Sequence, residues 1–203
     1  MFISHTHKLL FFEVPRTGSR SITQALTRLD PRSPTAVVRA VKRNLYNYHV
    51  YEQSVVDKHP DYSLIAVHRN PYDRIRSHYK YRKQYGNPEG FKKLTFKQYL
   101  EWVCLGELPF EIGPAMTDKP ICELLPFSQV NHWLAFETLN ADWKTLSDTL
   151  DIKLPQLQCI NSSHEEYSRG SVYDDDLANL VLKRFDSDFD QFDYSRDSWR
   201  TKV

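Results

Sequence analysis

The stretch Leu9 to Ile22, LLFFEVPRTGSRSI, decides how the rest of the chain is read. Leu9, Leu10, Phe11 and Phe12 form an apolar run too short to span a membrane and suited to a strand covered on both faces. Pro15 ends the ladder because it has no N–H to donate. Gly18 allows a close backbone turn, and Ser19 or Ser21 is expected to cap the helix that follows. Successive amides at such a helix start, with the positive end of its dipole, suit phosphate or sulfate. Arg16 and Arg20 add forked charged donors. The other reading is an ordinary strand–turn–helix corner with two solvated arginines. The nucleoside-triphosphate pattern G-x-x-x-x-G-K-[ST] is not met, since the turn holds one glycine and no lysine.

Outward from this corner, Ile22, Ala25, Leu26 and Leu29 predict a helix over Ser19–Leu29. Asp30-Pro31 and Ser33-Pro34 break it. A basic helix is expected from Thr35 to about Leu45. A second strand is expected over Tyr62–Val67 (YSLIAV), followed at once by His68-Arg69-Asn70-Pro71. Pro71 suits a first helical position. In that helix Tyr72, Ile75, Tyr79 and Arg82 share one face, Asp73 and Ser77 another, and Arg74, Arg76, Lys80 and Lys83 read as solvated. A helix over Thr95–Leu105 comes next. Gly106 to Pro126, rich in Pro and Gly, reads as an irregular loop or lid. His132–Leu139 reads as a further strand, with Asn140 capping a helix over Ala141–Leu150. Leu154 to Gly170 reads as loop. Asp174, Asp175 and Asp176 open a long helix whose stripe is Leu177, Leu180, Val181, Phe185, Phe189 and Phe192.

Strands alternating with helices predict one α/β domain over residues 1–203, built on a mainly parallel central sheet flanked by helices. Ligands in such folds bind beyond the carboxyl ends of the strands, where Arg16 and Arg69 fall. The 203 residues are 40% hydrophobic and 26% charged, which fits a globular protein. A formal net charge of +1 argues against bulk capture of nucleic acid. Cys104, Cys122 and Cys159 are odd in number and widely spaced, so they read as reduced thiols. No cluster of Asp, Glu or His has metal-ligand spacing, and no metal is expected.

The segment Pro15-Arg16-Thr17-Gly18-Ser19-Arg20-Ser21 resembles the 5′-phosphosulfate loop of the sulfotransferases, whose core is written P-K-x-G-[ST]-[TR]-S; Arg16 stands where that family usually has lysine. The segment VHRNPYDRIRSHYKYR, Val67 to Arg82, resembles the family's 3′-phosphate motif, R-[ND]-P-x-[DE]-R-x-x-S-x-Y. Weaker likenesses follow in order: Ala135-Phe136-Glu137-Thr138-Leu139 with Trp143, then Asn161-Ser162, Ser168-Arg169-Gly170, Tyr173 and the ending Asp188-Phe189 to Tyr194. Glu137 and the aromatic ending are read as packing.

The resemblance implies a three-layer, P-loop-NTPase-like sulfotransferase fold and the donor 3′-phosphoadenosine 5′-phosphosulfate (PAPS), leaving the bisphosphate PAP as product. It implies donor binding by Arg16, Thr17, Gly18, Ser19, Arg20 and Ser21 at the 5′ end, and by Arg69, Ser77, Arg169 and Gly170 at the 3′-phosphate. Family members commonly place a His or Glu between the two motifs as general base. His49 fits that interval, with Glu52 as the alternative and His59 and His68 behind. The acceptor would be a hydroxyl, or less readily an amine, of a small molecule or carbohydrate. The first expected strand begins within ten residues and no apolar run reaches eighteen, so no signal peptide or membrane anchor is expected, and a soluble cytoplasmic enzyme is the simpler reading. Two rivals are a nucleotide or polynucleotide kinase, which would need a lysine-bearing loop and magnesium ligands, and a non-catalytic binder of nucleotides or nucleic acid using Arg69 to Lys83 and its tyrosines.

Overall fold

The apolar run Leu9–Phe12 is a strand paired on both sides. The structure, a computed structural model, describes residues 1–33, 51–85, 89–106, 118–158 and 172–201. The expected helix after Thr35, and residues 107–117 and 159–171, lie outside the described residues. The chain divides into two compact units, Met1–Arg69 with Leu124–Ser162, and Asn70–Glu123 with Ser163–Val203.

The first unit holds a four-stranded sheet of order β1-β2-β3-β4. β1 (Phe2–Ser4) is antiparallel to β2 (Leu9–Phe12), whereas β3 (Ser63–His68) and β4 (His132–Ala135) continue it in parallel. The register sets Phe12 beside Ala66 and His68 beside Ala135. The sequence reading starts the sheet at Leu9; β1 is an addition, since three residues carry no periodicity and only their pairing defines them. α1 (Ser19–Leu29), a short α2 (Gln53–Asp57) and α7 (Leu139–Leu150) complete the unit's helices among the described residues. Leu9, Phe11, Ile65, Val67 and Leu134 share one core with Ile22, Ala25 and Leu26 of α1 and Trp143 and Leu146 of α7. Each such side chain contributes about 1.5–3 kcal/mol when fully buried. Leu10, Phe12, Leu64 and Ala66, on the opposite face, are buried too. Burial on both faces is why β2 and β3 read as unbroken apolar runs rather than alternating ones.

Two expectations about helix starts are corrected. α1 begins at Ser19 as expected, but its cap position is Gly18, in the left-handed region at φ 76°, with no side-chain cap bond. Ser19 and Ser21 already lie inside the helix, past the position from which a hydroxyl reaches the N2 or N3 amide. Likewise β4 ends at Ala135, Phe136–Thr138 form a 3₁₀ turn, and α7 starts at Leu139, so Asn140 is helical and not the cap. Asp142 does the tying instead. It accepts hydrogen bonds from the Ala135 amide (2.7 Å) and the Thr138 hydroxyl (2.9 Å). Glu137, expected to pack, is exposed on this turn.

The second unit is helical among the described residues: α3 (Pro71–Tyr85), α4 (Glu89–Lys93), α5 (Phe96–Leu105), α6 (Ile121–Leu124) and α8 (Asp175–Gln191). Tyr72, Ile75, Tyr99, Leu100, Val103, Leu177, Val181, Phe185 and Phe189 form its core. Thr95 closes a capping box with Gln98 on α5, and Asp174 accepts the Leu177 amide at the start of α8 (2.8 Å). α6 gives a regular turn to a segment expected to be irregular.

Arg74 is the largest correction. Expected in solvent, it is fully buried. Its Nη1 donates to the Lys119 carbonyl at 2.9 Å and lies 3.7 Å from Asp188 Oδ2. Asp188 also accepts the amides of Ile121 (2.8 Å) and Cys122 (3.1 Å). Burial pushes the Asp188 carboxyl up and the Arg74 guanidinium down from their ordinary values, against the attraction between the two. Asp73, which shares its expected face with Ser77, is buried as well.

Candidate anion site at the carboxyl ends of two parallel strands

β2 and β3 run in parallel, so their carboxyl ends bring residues 13–18 and 68–69 to one edge of the sheet. The turn after β2 is held from within. The Val14 amide donates to the Phe12 carbonyl (3.1 Å), the buried Thr17 hydroxyl to the Val14 carbonyl (2.9 Å), and the Ser21 amide to the Gly18 carbonyl (3.0 Å). Arg16 and Gly18 both have positive φ, 68° and 76°. For a non-glycine residue this conformation costs about 1–2 kcal/mol. Strain of that kind persists only where the surroundings impose it.

The surroundings here are Arg69 and Phe136. Arg69 follows β3 directly, and its Nη1 donates to the Arg16 carbonyl at 3.0 Å. Its Cζ sits 3.9 Å from the centroid of the Phe136 ring, a cation–π contact. The same ring lies against Gly18: a Cβ built there would meet Phe136 Cε2 at 3.1 Å and Leu139 Cδ2 at 3.2 Å. Position 18 therefore favours glycine on two grounds, its φ and this close approach.

The structure thus brings Arg16 and Arg69 together, 53 residues apart in sequence. Ser19 and Ser21 are buried in the first turn of α1, and Arg20 is exposed. Ser77 belongs to the second unit, where it is half-buried on α3. His49, Arg169 and Gly170 lie outside the described residues. Glu52 is exposed at the cap position of α2. His59 stacks on Tyr62 before β3 begins, at the amino ends of the strands. β3, six residues and about 20 Å long, lies between it and Arg69 in the chain. His68, the last residue of β3, is half-buried, and burial holds its imidazole below the ordinary histidine value despite the charges of Glu137 and Asp142. Among the described residues no group of three His, Cys, Asp or Glu side chains is placed to hold a metal ion. No helix among them is long and apolar enough to cross a membrane.

A protein-family model described as "Sulfotransferase family" matches residues 1–195. The chain belongs to the sulfotransferase family. The match runs through segments of both units and includes both arginine motifs. No curated protein matches the chain. Membership makes this sulfotransferase-family chain a transferase, with sulfotransfer as its general activity.

Sequence reasoning overlooked two features of this family member's site. Glu13 is almost wholly buried beside the turn and accepts a hydrogen bond from the Thr23 hydroxyl (3.0 Å); a carboxylate beside an apolar strand gives no periodic signal. By its sequence Phe136 falls within the expected strand His132–Leu139, with nothing local to set it apart. Its ring could be placed against Gly18 and Arg69 only by a strand ending at Ala135.

Proposed function

We propose that this chain moves a sulfuryl group from PAPS to a hydroxyl of a small-molecule or carbohydrate acceptor, less readily to an amine. In this reading residues 1–203 act as one catalytic domain of three-layer, P-loop-like fold. The observation that carries it is the hydrogen bond from Arg69 to the Arg16 carbonyl. It joins the two segments that resemble the donor-binding motifs, at the ends of parallel strands where ligands of α/β folds bind. The residues fit a doubly phosphorylated ligand: a left-handed glycine opens a helix, one arginine lies in that turn, and another arrives from the neighbouring strand.

When bound, the donor supplies the activated sulfuryl group and a phosphate that leaves as an anion. The turn of residues 17–21, through its amides other than the one Ser21 gives to Gly18, holds the 5′ phosphosulfate together with Arg20. Arg16 fixes a positive charge beside the leaving oxygen, which needs charge rather than a proton because a phosphomonoester's second pKa is about 6. Arg69 and Ser77, with Arg169 and Gly170, hold the 3′-phosphate. His49, or Glu52 in its place, takes the acceptor's proton. The displacement is loose and in line, driven by positioning and charge stabilisation as in phosphoryl transfer, and no metal is required.

The test is calorimetric titration with adenosine 3′,5′-bisphosphate against adenosine 5′-monophosphate. The bisphosphate should bind more tightly, and Arg69→Ala should weaken it at least tenfold, the scale of a lost charge-assisted contact. Because Arg69 also braces the Arg16 turn, the monophosphate should weaken too, but by less. Equal loss for both ligands would reduce Arg69 to a brace and remove its reading as the 3′-phosphate ligand.

A further inference from the structure

Three contacts close a circuit around the candidate site. The Phe136 ring lies against Gly18, where a Cβ would meet Phe136 Cε2 at 3.1 Å. Gly18 shares its turn with Arg16, whose carbonyl accepts from Arg69. The Arg69 guanidinium in turn lies over the Phe136 ring, 3.9 Å from the centroid. Phe136 is itself fixed, because its 3₁₀ turn is held at both ends by the Asp142 carboxylate and its ring packs on the core of the first unit.

A guanidinium at the end of a flexible side chain loses rotamer freedom when it binds an anion. A ring beneath it removes part of that cost in advance and fixes the plane in which its forked donors point. The same ring also seats the turn whose carbonyl takes one of those donors.

We infer that Phe136 is a positioning residue for the donor: its ring clamps the Arg69 guanidinium and the Gly18 turn together, so that both anion-facing elements are presented in one geometry. This rests on the reading of the site given above. Phe136 acts through Arg69 and takes no part in the chemistry.

Two measurements test it on the full chain. The first uses no ligand: a double-mutant cycle of Phe136→Leu and Arg69→Ala, read by denaturant unfolding. The clamp requires the two losses to be non-additive, since each substitution removes the same contact; additive losses overturn it. The second is titration of the bisphosphate. Phe136→Leu keeps an apolar side chain without a π face and should weaken binding about 3- to 30-fold, the range of a partly desolvated cation–π contact. Phe136→Tyr, which keeps the ring, should restore it to within about twofold of wild type. In the Arg69→Ala background Phe136→Leu should weaken binding by less than it does in wild type, since only its contact with the Gly18 turn is left to lose. If wild type binds and Phe136→Leu binds equally well, the positioning role is wrong. If Phe136→Leu does not fold, Phe136→Tyr against Phe136→Met gives the same comparison of ring with no ring. If wild type does not bind the bisphosphate, the sulfotransfer reading of this site fails and the unfolding cycle alone judges the clamp.

Discussion

Arg69 and Arg74 stand in one turn-and-helix segment, and the molecule uses them in opposite ways. Arg69 is half-buried at the end of β3, laid on an aromatic ring and bonded to a loop carbonyl. Arg74, one of the innermost side chains of the second unit, faces a carboxylate and a carbonyl and knits the 119–122 segment to α3 and α8. The difference lies in what each group loses on desolvation. A half-buried guanidinium over a ring keeps its charge at modest cost and can still meet an anion. A fully buried one must be matched inside the protein, because an unpaired charge there costs several kcal/mol. The first arrangement suits ligand recognition and the second suits stability, although the sequence writes both as an arginine in a basic motif.

The largest effect that would break this contrast is expected at Arg74. Arg74→Ala leaves Asp188 buried without its cation and should cost about 3–5 kcal/mol of stability, read as a lower denaturant midpoint. Bisphosphate affinity of the folded protein should change little. A variant as stable as wild type but unable to bind would place Arg74 with the ligand groups and erase the distinction.

Arg16 tests the ligand-facing side. Arg16→Ala should lose about 10²–10³ in turnover, the scale of one missing transition-state donor, whereas Arg16→Lys should keep measurable transfer. The pH–rate profile should then carry no alkaline limb from residue 16, because a guanidinium keeps its proton at working pH. Transfer by Arg16→Ala at the wild-type rate would remove the turn from the site.

The smallest effect sharpens the picture next to Arg69. Burial lowers the His68 pKa, so the folded protein holds this ring neutral where the unfolded chain would protonate it. The unfolded state then binds more protons between the folded value and 6.5. The associated stability is present in full above 6.5 and is lost as pH falls through the folded value. His68→Asn should make the acid side of the stability curve shallower by at most one proton. An unchanged slope would mean that His68 is hydrated and that the edge beside Arg69 is wetter than its burial indicates.

Local signals in the sequence reached far. The apolar run at Leu9–Phe12, the bounds of α1, Pro71 opening α3, the helix ending at Leu105 and the acidic start of α8 all follow from side-chain period, missing amides and capping chemistry, which act within a few residues. The alternation of strand and helix was enough for an α/β sheet, and two short motifs were enough to point to the family. The tertiary structure alone decided which of two similar arginines is buried, because α3 carries polar residues all round and Asp188 lies 114 positions away. It alone ended β4 at Ala135, added β1 and set Phe136 between Gly18 and Arg69. These depend on strand register and on which element packs against which, and such contacts join residues whose separation in the chain leaves no local periodicity to read.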